Sequence, residues 1–118
     1  MPKVIGIVGS RRRATPEDMA KMLDRFDSIY EEGDTLVSGG CPTGGDNFAE
    51  MLAKARGLTI TIHFPNWEKH GRGAGFVRNS FIARDCDVLI AIVAKDRTGG
   101  TEDTIKKAIK LKKLIVLV

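Results

Sequence analysis

The sequence predicts an α/β domain, a parallel sheet of about five strands with helices on both faces, filling residues 1–118. Three observations carry this. Strand-like and helix-like stretches alternate along the chain, as in βαβ units joined by crossover helices. Two strand-like runs, Val4-Ile5-Gly6-Ile7-Val8 and Asp87 to Ala94, are apolar without alternation, the pattern of central strands covered on both sides. Glycine-rich segments follow the first, second and fourth strands. They therefore share the carboxyl edge of the sheet, where open α/β sheets bind ligands at the point of reversed winding.

Taken in order, the first strand ends at Gly9-Ser10-Arg11-Arg12-Arg13. Thr15-Pro16-Glu17-Asp18 then starts a helix, with Thr15 as N-cap, Pro16 in the first turn and acids near the positive end. Met19, Met22, Leu23, Phe26, Ile29 and Tyr30 form its apolar stripe. Thr35-Leu36-Val37 is the second strand. The helix after it turns Phe48, Leu52 and Ala55 to one side and stops at Gly57. Leu58 to Ile62 alternates as a half-exposed strand does, which places it at a sheet edge. His63 to Gly75 reads as the longest irregular stretch. A third helix from Phe76 to Asp85 carries Val77 and Phe81 inward. The last helix turns Ile105, Ala108 and Ile109 inward, and Leu114 to Val118 is a fifth strand.

The composition is that of an ordinary soluble chain, 42% hydrophobic and 29% charged. A segment of about 18 apolar residues, which a membrane helix needs, is absent. Cys41 and Cys86 lie in no metal-ligand spacing and read as reduced thiols of a cytoplasmic protein. The net charge of +4 suits an anionic partner without specifying one, because much of the excess is the lysine-rich C-terminal segment. Those lysines, Lys106, Lys107, Lys110, Lys112 and Lys113, read as the outer face of the last helix; a nucleic-acid groove needs interleaved aromatics. There is no Walker A lysine, zinc spacing, Ser-His-Asp set or dinucleotide fingerprint.

The glycine loops carry the functional signal. Glycine lets the backbone approach a ligand closely, and a helix N-terminus behind it offers unpaired N–H groups and partial positive charge to an anion. The candidate ligand-binding residues are Gly9, Ser10 and Arg11 after the first strand and Ser38, Gly39, Gly40, Gly44, Gly45 and Asp46 after the second. Arg78 and Asn79 on the third helix and Gly99, Gly100 and Thr101 after the fourth strand complete the set. Arg11 suits a phosphate with its forked donors, whereas Arg12 and Arg13 read as a solvated basic turn. Asp46 fits either a ribose contact or an N-cap. Of the acids near Gly100, Glu102 is the better general acid or base, although Glu102 and Asp103 both suit the first turn of a helix without any chemistry. Trp67 and His70 suit either a lid that stacks on a base or a loop anchored by a buried tryptophan.

These segments resemble the Rossmann-like superfamily that groups lonely-guy phosphoribohydrolases, the DNA-processing protein of natural transformation and nucleotide-sensor domains (SLOG-type). The carriers are Gly9-Ser10-Arg11, Ser38-Gly39-Gly40 with Gly44-Gly45-Asp46, Gly75-Phe76-Val77-Arg78-Asn79, and Gly99-Gly100-Thr101. The resemblance spans essentially the whole chain and implies a single Rossmann-like three-layer α/β/α sandwich. It also implies a nucleotide or nucleotide derivative as ligand and a homo-oligomer; no metal or separate cofactor is expected from the residues. Phosphate would sit at Gly100-Thr101 and the sugar side at Gly39 to Asp46. In the phosphoribohydrolases an arginine on the third helix and a glutamate three residues beyond the Gly-Thr threonine take part in hydrolysis. Arg78 matches the first, but Thr104 stands at the second position. Three readings follow: a nucleotide sensor or carrier first, a nucleoside 5′-monophosphate N-glycosidase using Arg78 and Glu102 second, single-stranded DNA binding third.

Overall fold

The computed structural model describes residues 1–118 as five strands and five helices. The strands are β1 (Val4–Gly9), β2 (Thr35–Ser38), β3 (Ile60–Ile62), β4 (Val88–Ile92) and β5 (Leu114–Leu117). The helices are α1 (Pro16–Ile29), α2 (Gly45–Arg56), the short α3 (Trp67–His70), α4 (Ala74–Asp85) and α5 (Gly100–Lys110), with a 3₁₀ turn at Gly71–Gly73. All strands pair in parallel in the order β3-β2-β1-β4-β5. The two unbroken apolar runs are adjacent, β1 beside β4, and both are inside the sheet as expected.

Successive strand residues face opposite sides, so the sheet has two cores. Ile5, Ile7, Val88, Ile90 and Ile92 meet Met22 and Phe26 of α1 and Phe48 and Leu52 of α2. On the other side Val8, Val37, Leu89 and Ala91 meet Ile82 and Ala83 of α4 and Ile105 and Ala108 of α5. The result is a three-layer α/β/α sandwich whose winding reverses between β1 and β4. The chain leaves β1 toward one face and β4 toward the other, which opens a crevice between Gly9 and Gly99.

Several elements differ from the sequence expectation. Ala55 is exposed, and α2 buries Phe48, Ala49, Leu52 and Ala53 instead. Helix α4 starts at Ala74, and its buried side is Ala74, Asn79, Ile82 and Ala83, while Phe81 is left exposed. Close packing of α4 on α5 and the sheet favours small residues there, and Asn79 is accepted because its amide is fully hydrogen-bonded. Ile109 also faces outward. The stretch His63 to Gly75 is largely ordered into α3 and the 3₁₀ turn, since Asn66 accepts the Lys69 N–H at 3.1 Å and caps α3.

Local caps hold the frame. Thr15 and Asp18 form a reciprocal capping box at the start of α1. Arg13 is not a solvated turn residue. Its guanidinium bonds Asp18 at 2.8 Å and donates to the carbonyls of Val93 (2.9 Å) and Val118 (2.7 Å), tying α1 to the ends of β4 and β5. Asp34, nearly buried, takes the Lys3 backbone N–H at 2.8 Å and the Lys3 ammonium at 2.6 Å, fastening the start of β1 to the turn before β2. Lys107 and Lys113 likewise leave the solvated face expected of them: Lys107 pairs with Asp103 at 2.6 Å, and Lys113 donates to the Cys86 carbonyl at 2.6 Å. No helix is long and apolar enough to cross a membrane.

Candidate functional site

The crevice at the carboxyl edge is a two-lobed groove. The inner lobe, about 390 Å³, lies between the loops after β1 and β4 and is bounded by Gly9, Ser10, Arg11, Thr98, Gly99 and Gly100. The outer lobe, about 500 Å³, lies between the loop after β2 and the α3–α4 region. Arg11, Cys41, Arg78, Asn79 and Gly100 line both, so the two are one continuous site.

The glycines divide into two kinds. A Cβ on Gly45 would lie 2.5 Å from Gly9 Cα and from the Val8 carbonyl carbon, and one on Gly44 would strike the Ser10 carbonyl. These two let the N-terminus of α2 rest directly on the loop after β1. A Cβ on Gly39 would sit 2.6 Å from Arg78 Nη1, and one on Gly40 would sit 2.5 Å from the Phe64 ring. Gly99 and Gly100 are different. A Cβ on either meets nothing within 4 Å, so their backbone stands bare beside the groove. Gly99 has φ +103, a conformation that favours glycine, and α5 begins immediately after it. Of the three loops, the one after β4 therefore presents open backbone at a helix N-terminus, the arrangement that suits an anion.

Arginines set the charge. Arg11 and Arg72 make no hydrogen bond or ion pair within the chain and are exposed at the groove. Arg78 is fixed in place, donating to the Gly39 carbonyl and, at 2.9 Å, to Asn79 Oδ1. Asn79 in turn donates to the Gly100 carbonyl at 3.3 Å and to Asp103 at 3.1 Å. The loop after β2, helix α4 and the start of α5 are thus locked into one wall. Arg12 pairs with Asp96 through two 2.8 Å bonds and reaches Thr98 at 2.9 Å, which bridges the loops after β1 and β4. That bond pattern holds the Asp96 carboxyl far below its ordinary value.

Asp46 is the one acid on the groove wall. It is buried in the first turn of α2 and is not the N-cap, a place taken by Gly44. Its carboxyl accepts the Cys41 N–H at 3.2 Å and lies 3.3 Å from Ser38 Oγ, whose own proton goes to the Ile7 carbonyl at 2.5 Å. Burial raises the Asp46 pKa, and it stays raised although the Cys41 N–H and the Arg78 charge oppose the shift. The thiol of Cys86 is pushed up to about 11, chiefly by burial, while Cys41 lines both lobes.

The groove brings together Gly9, Ser10, Arg11, Gly39, Gly40, Asp46, Arg78, Asn79, Gly99, Gly100 and Thr101. It does not include Ser38, Gly44 or Gly45, which support its walls from behind. Nor does it include Glu102, whose carboxylate is held by Arg97 at 2.8 and 3.0 Å. Trp67 is 59% exposed on the outer lobe, which excludes the reading of a loop anchored by a buried tryptophan; His70 is not on the wall. Sequence reasoning passed over Phe64, Arg72 and Phe76, which also line the outer lobe. The available signal was positional. The stretch after β3 also leaves the carboxyl edge, so its aromatics and arginine belonged with the three glycine loops. No group of three or more His, Cys, Asp or Glu side chains is placed to hold a metal ion.

No family model matches the sequence, and no curated protein matches it at the sequence level. Solved structures do match the fold. The molybdenum cofactor binding protein of the phototrophic bacterium Rippkaea orientalis superposes with a TM-score of 0.76 at 26% identity, over 99% of this chain and 76% of that one. DNA processing protein A of Streptococcus pneumoniae gives 0.75 at 22% identity over 99% of this chain, and the present chain spans half its length. The structural-genomics target TM1055 gives 0.68 at 22% identity, over 98% of this chain and 72% of that one. By fold, the chain is a member of the SLOG-type Rossmann-like superfamily. In this SLOG-type domain the bare Gly99–Gly100 backbone, the arginines and the aromatic outer lobe all open on the crevice beside β1 and β4.

Proposed function

We propose that this SLOG-type domain binds a nucleotide or nucleotide-like phosphorylated cofactor, as a sensor or carrier, with the phosphate in the inner lobe. The observation that carries the reading is the bare Gly99–Gly100 backbone at the N-terminus of α5, in an inner lobe that the unpaired Arg11 also lines. Backbone N–H groups, a helix dipole and a free guanidinium border the same lobe, and all three favour a dianion. The names of two structural neighbours, a molybdenum cofactor binding protein and a DNA processing protein, are compatible with a ligand of this class.

Binding takes precedence over N-glycosidase action because Glu102 is occupied by Arg97 and lies off the groove. Single-stranded DNA ranks third; the groove's arginines serve a phosphate of either source. A homo-oligomer and a cytoplasmic setting belong to the same proposal. Exposed Ile109 and Leu111 at the end of α5, exposed Leu114 and Leu117 on the edge strand β5, and the two free cysteines are what support them.

Isothermal titration with ribose 5-phosphate tests the anion site. Saturable one-to-one binding that weakens at least tenfold in Arg11→Ala is expected, since a charge-assisted bond is worth about 1.5–3 kcal/mol. Absence of heat at millimolar ligand would remove the proposal.

A further inference from the structure

The outer lobe differs in chemistry from the inner one, and its wall has a direction. Its polar side chains are arginines, an asparagine and a thiol, with no carboxylate among them. The Asn79 amide is already committed, Oδ1 to Arg78 and Nδ2 to Gly100 and Asp103. What this wall can still offer a ligand from its side chains is the donors of Arg11 and Arg72, the Trp67 indole N–H and the weakly polar Cys41 thiol, beside the fixed fork of Arg78.

The rest of the lobe is aromatic. Phe64 lies over Gly40, where a Cβ would leave only 2.5 Å to its ring, and the Phe76 ring has the Lys107 ammonium 5.5 Å from its centroid. Trp67 pairs with no other ring and is 59% exposed, so a face of the indole is available. A second phosphate would use the arginines and leave the rings idle. A flat heterocycle uses both.

We infer that the outer lobe takes the ring of the ligand, stacked on Trp67, and selects an oxo-substituted ring of the guanine type over an amino-substituted one of the adenine type. This rests on the proposed phosphate site, which sets the ligand's other end. A guanine-type edge offers the adjacent acceptors O6 and N7, which one arginine fork meets bidentately. An adenine-type edge offers one acceptor and one amino donor, and the donor meets a wall of donors. Arg72 is the arginine placed for this role. It lies between Gly71 and Gly73, has no internal partner and borders the outer lobe alone.

The test uses ribose 5-phosphate, adenosine 5′-monophosphate and guanosine 5′-monophosphate against the full chain. Calorimetry is read together with fluorescence of Trp67, the only tryptophan in the protein. The guanosine nucleotide should bind about tenfold tighter than the adenosine one, near the low end for a forked arginine because Arg72 is exposed. It should quench Trp67, while ribose 5-phosphate binds without quenching. Arg72→Ala, which breaks no internal bond, should bring the two nucleotides to equal affinity and leave ribose 5-phosphate unchanged.

Equal or reversed nucleotide affinities in the unmodified chain overturn the selectivity, and guanosine nucleotide binding without quenching overturns the stacking. Both results leave the phosphate site standing if ribose 5-phosphate still binds. Failure of all three ligands removes the phosphate site and the inference with it. A Trp67 emission maximum that shifts to the blue with protein concentration alone would show that a second copy covers the lobe, which also overturns the proposal.

Discussion

Gly45 and Gly100 are the same residue type at the same kind of position, the first residue of a helix behind a glycine. Their surroundings give opposite expectations. At Gly45 an added methyl meets backbone of Val8 and Gly9, atoms that cannot swing aside as a flexible side chain would. Gly45→Ala should cost about 1–3 kcal/mol in urea unfolding, the usual penalty of overpacking. At Gly100 the methyl enters open space and φ lies outside the left-handed region. Gly100→Ala should keep wild-type stability and instead weaken ribose 5-phosphate. The sequence showed two equivalent glycine pairs. Which one is masonry and which one borders the groove depends on what lies opposite, and that comes from residues 36 positions away in the case of Gly45 and Gly9.

At the level of elements, Arg13 joins three of them. It meets Asp18 in α1 and the carbonyls at the ends of β4 and β5 with a single guanidinium. Arg13→Ala leaves a part-buried carboxylate and two carbonyls without that partner, and the expected loss is about 1–3 kcal/mol in a chemical denaturation curve. Arg13→Lys should recover only part, because one ammonium cannot reproduce the fork. This role was hidden in the sequence. Three consecutive arginines look alike until the turn sends Arg11 to the groove, Arg12 to Asp96 and Arg13 into the frame. Helix α4 shows the same limit. Its inward face carries one large apolar residue, Ile82, among Ala74, Asn79 and Ala83, so apolar spacing pointed to the exposed Phe81. Strands β1 and β4 and helix α1 were legible because long apolar runs, a regular stripe and a capping box act locally.

Across the whole molecule, acid and neutral pH should affect stability through different aspartates. Asp18, Asp34 and Asp85 have folded pKa values below the ordinary 3.8. Burial pushes Asp18 and Asp34 upward, but it is outweighed by the combined bonds from Arg13 and Thr15 to Asp18 and from Lys3 and the Glu31 N–H to Asp34, and for Asp85 the Arg84 bond leads. Their stabilisation is present above pH 4 and is lost as pH falls through the lowered values. Asp46 has the opposite sign. Its folded pKa is raised by burial, so the folded state loses stability as pH rises from 3.8 through the raised value. Asp46→Asn should therefore gain on the wild type progressively above pH 4 and then level off. Urea unfolding at pH 4, 5.5 and 7 checks this, and a difference that does not change with pH would show that Asp46 is not penalised by its burial.

By itself the sequence determined the layered α/β architecture, the two central strands and the edge on which the glycine-rich loops gather. Those follow from periodicity, caps and glycine placement, all of which act over a few residues. The tertiary structure alone decided how the loops divide the work, because their roles depend on contacts between distant segments. It seated the loop after β2 against Arg78 and Phe64, left Gly99 and Gly100 bare, turned Glu102 to Arg97 and brought Trp67 and Arg72 to the same groove.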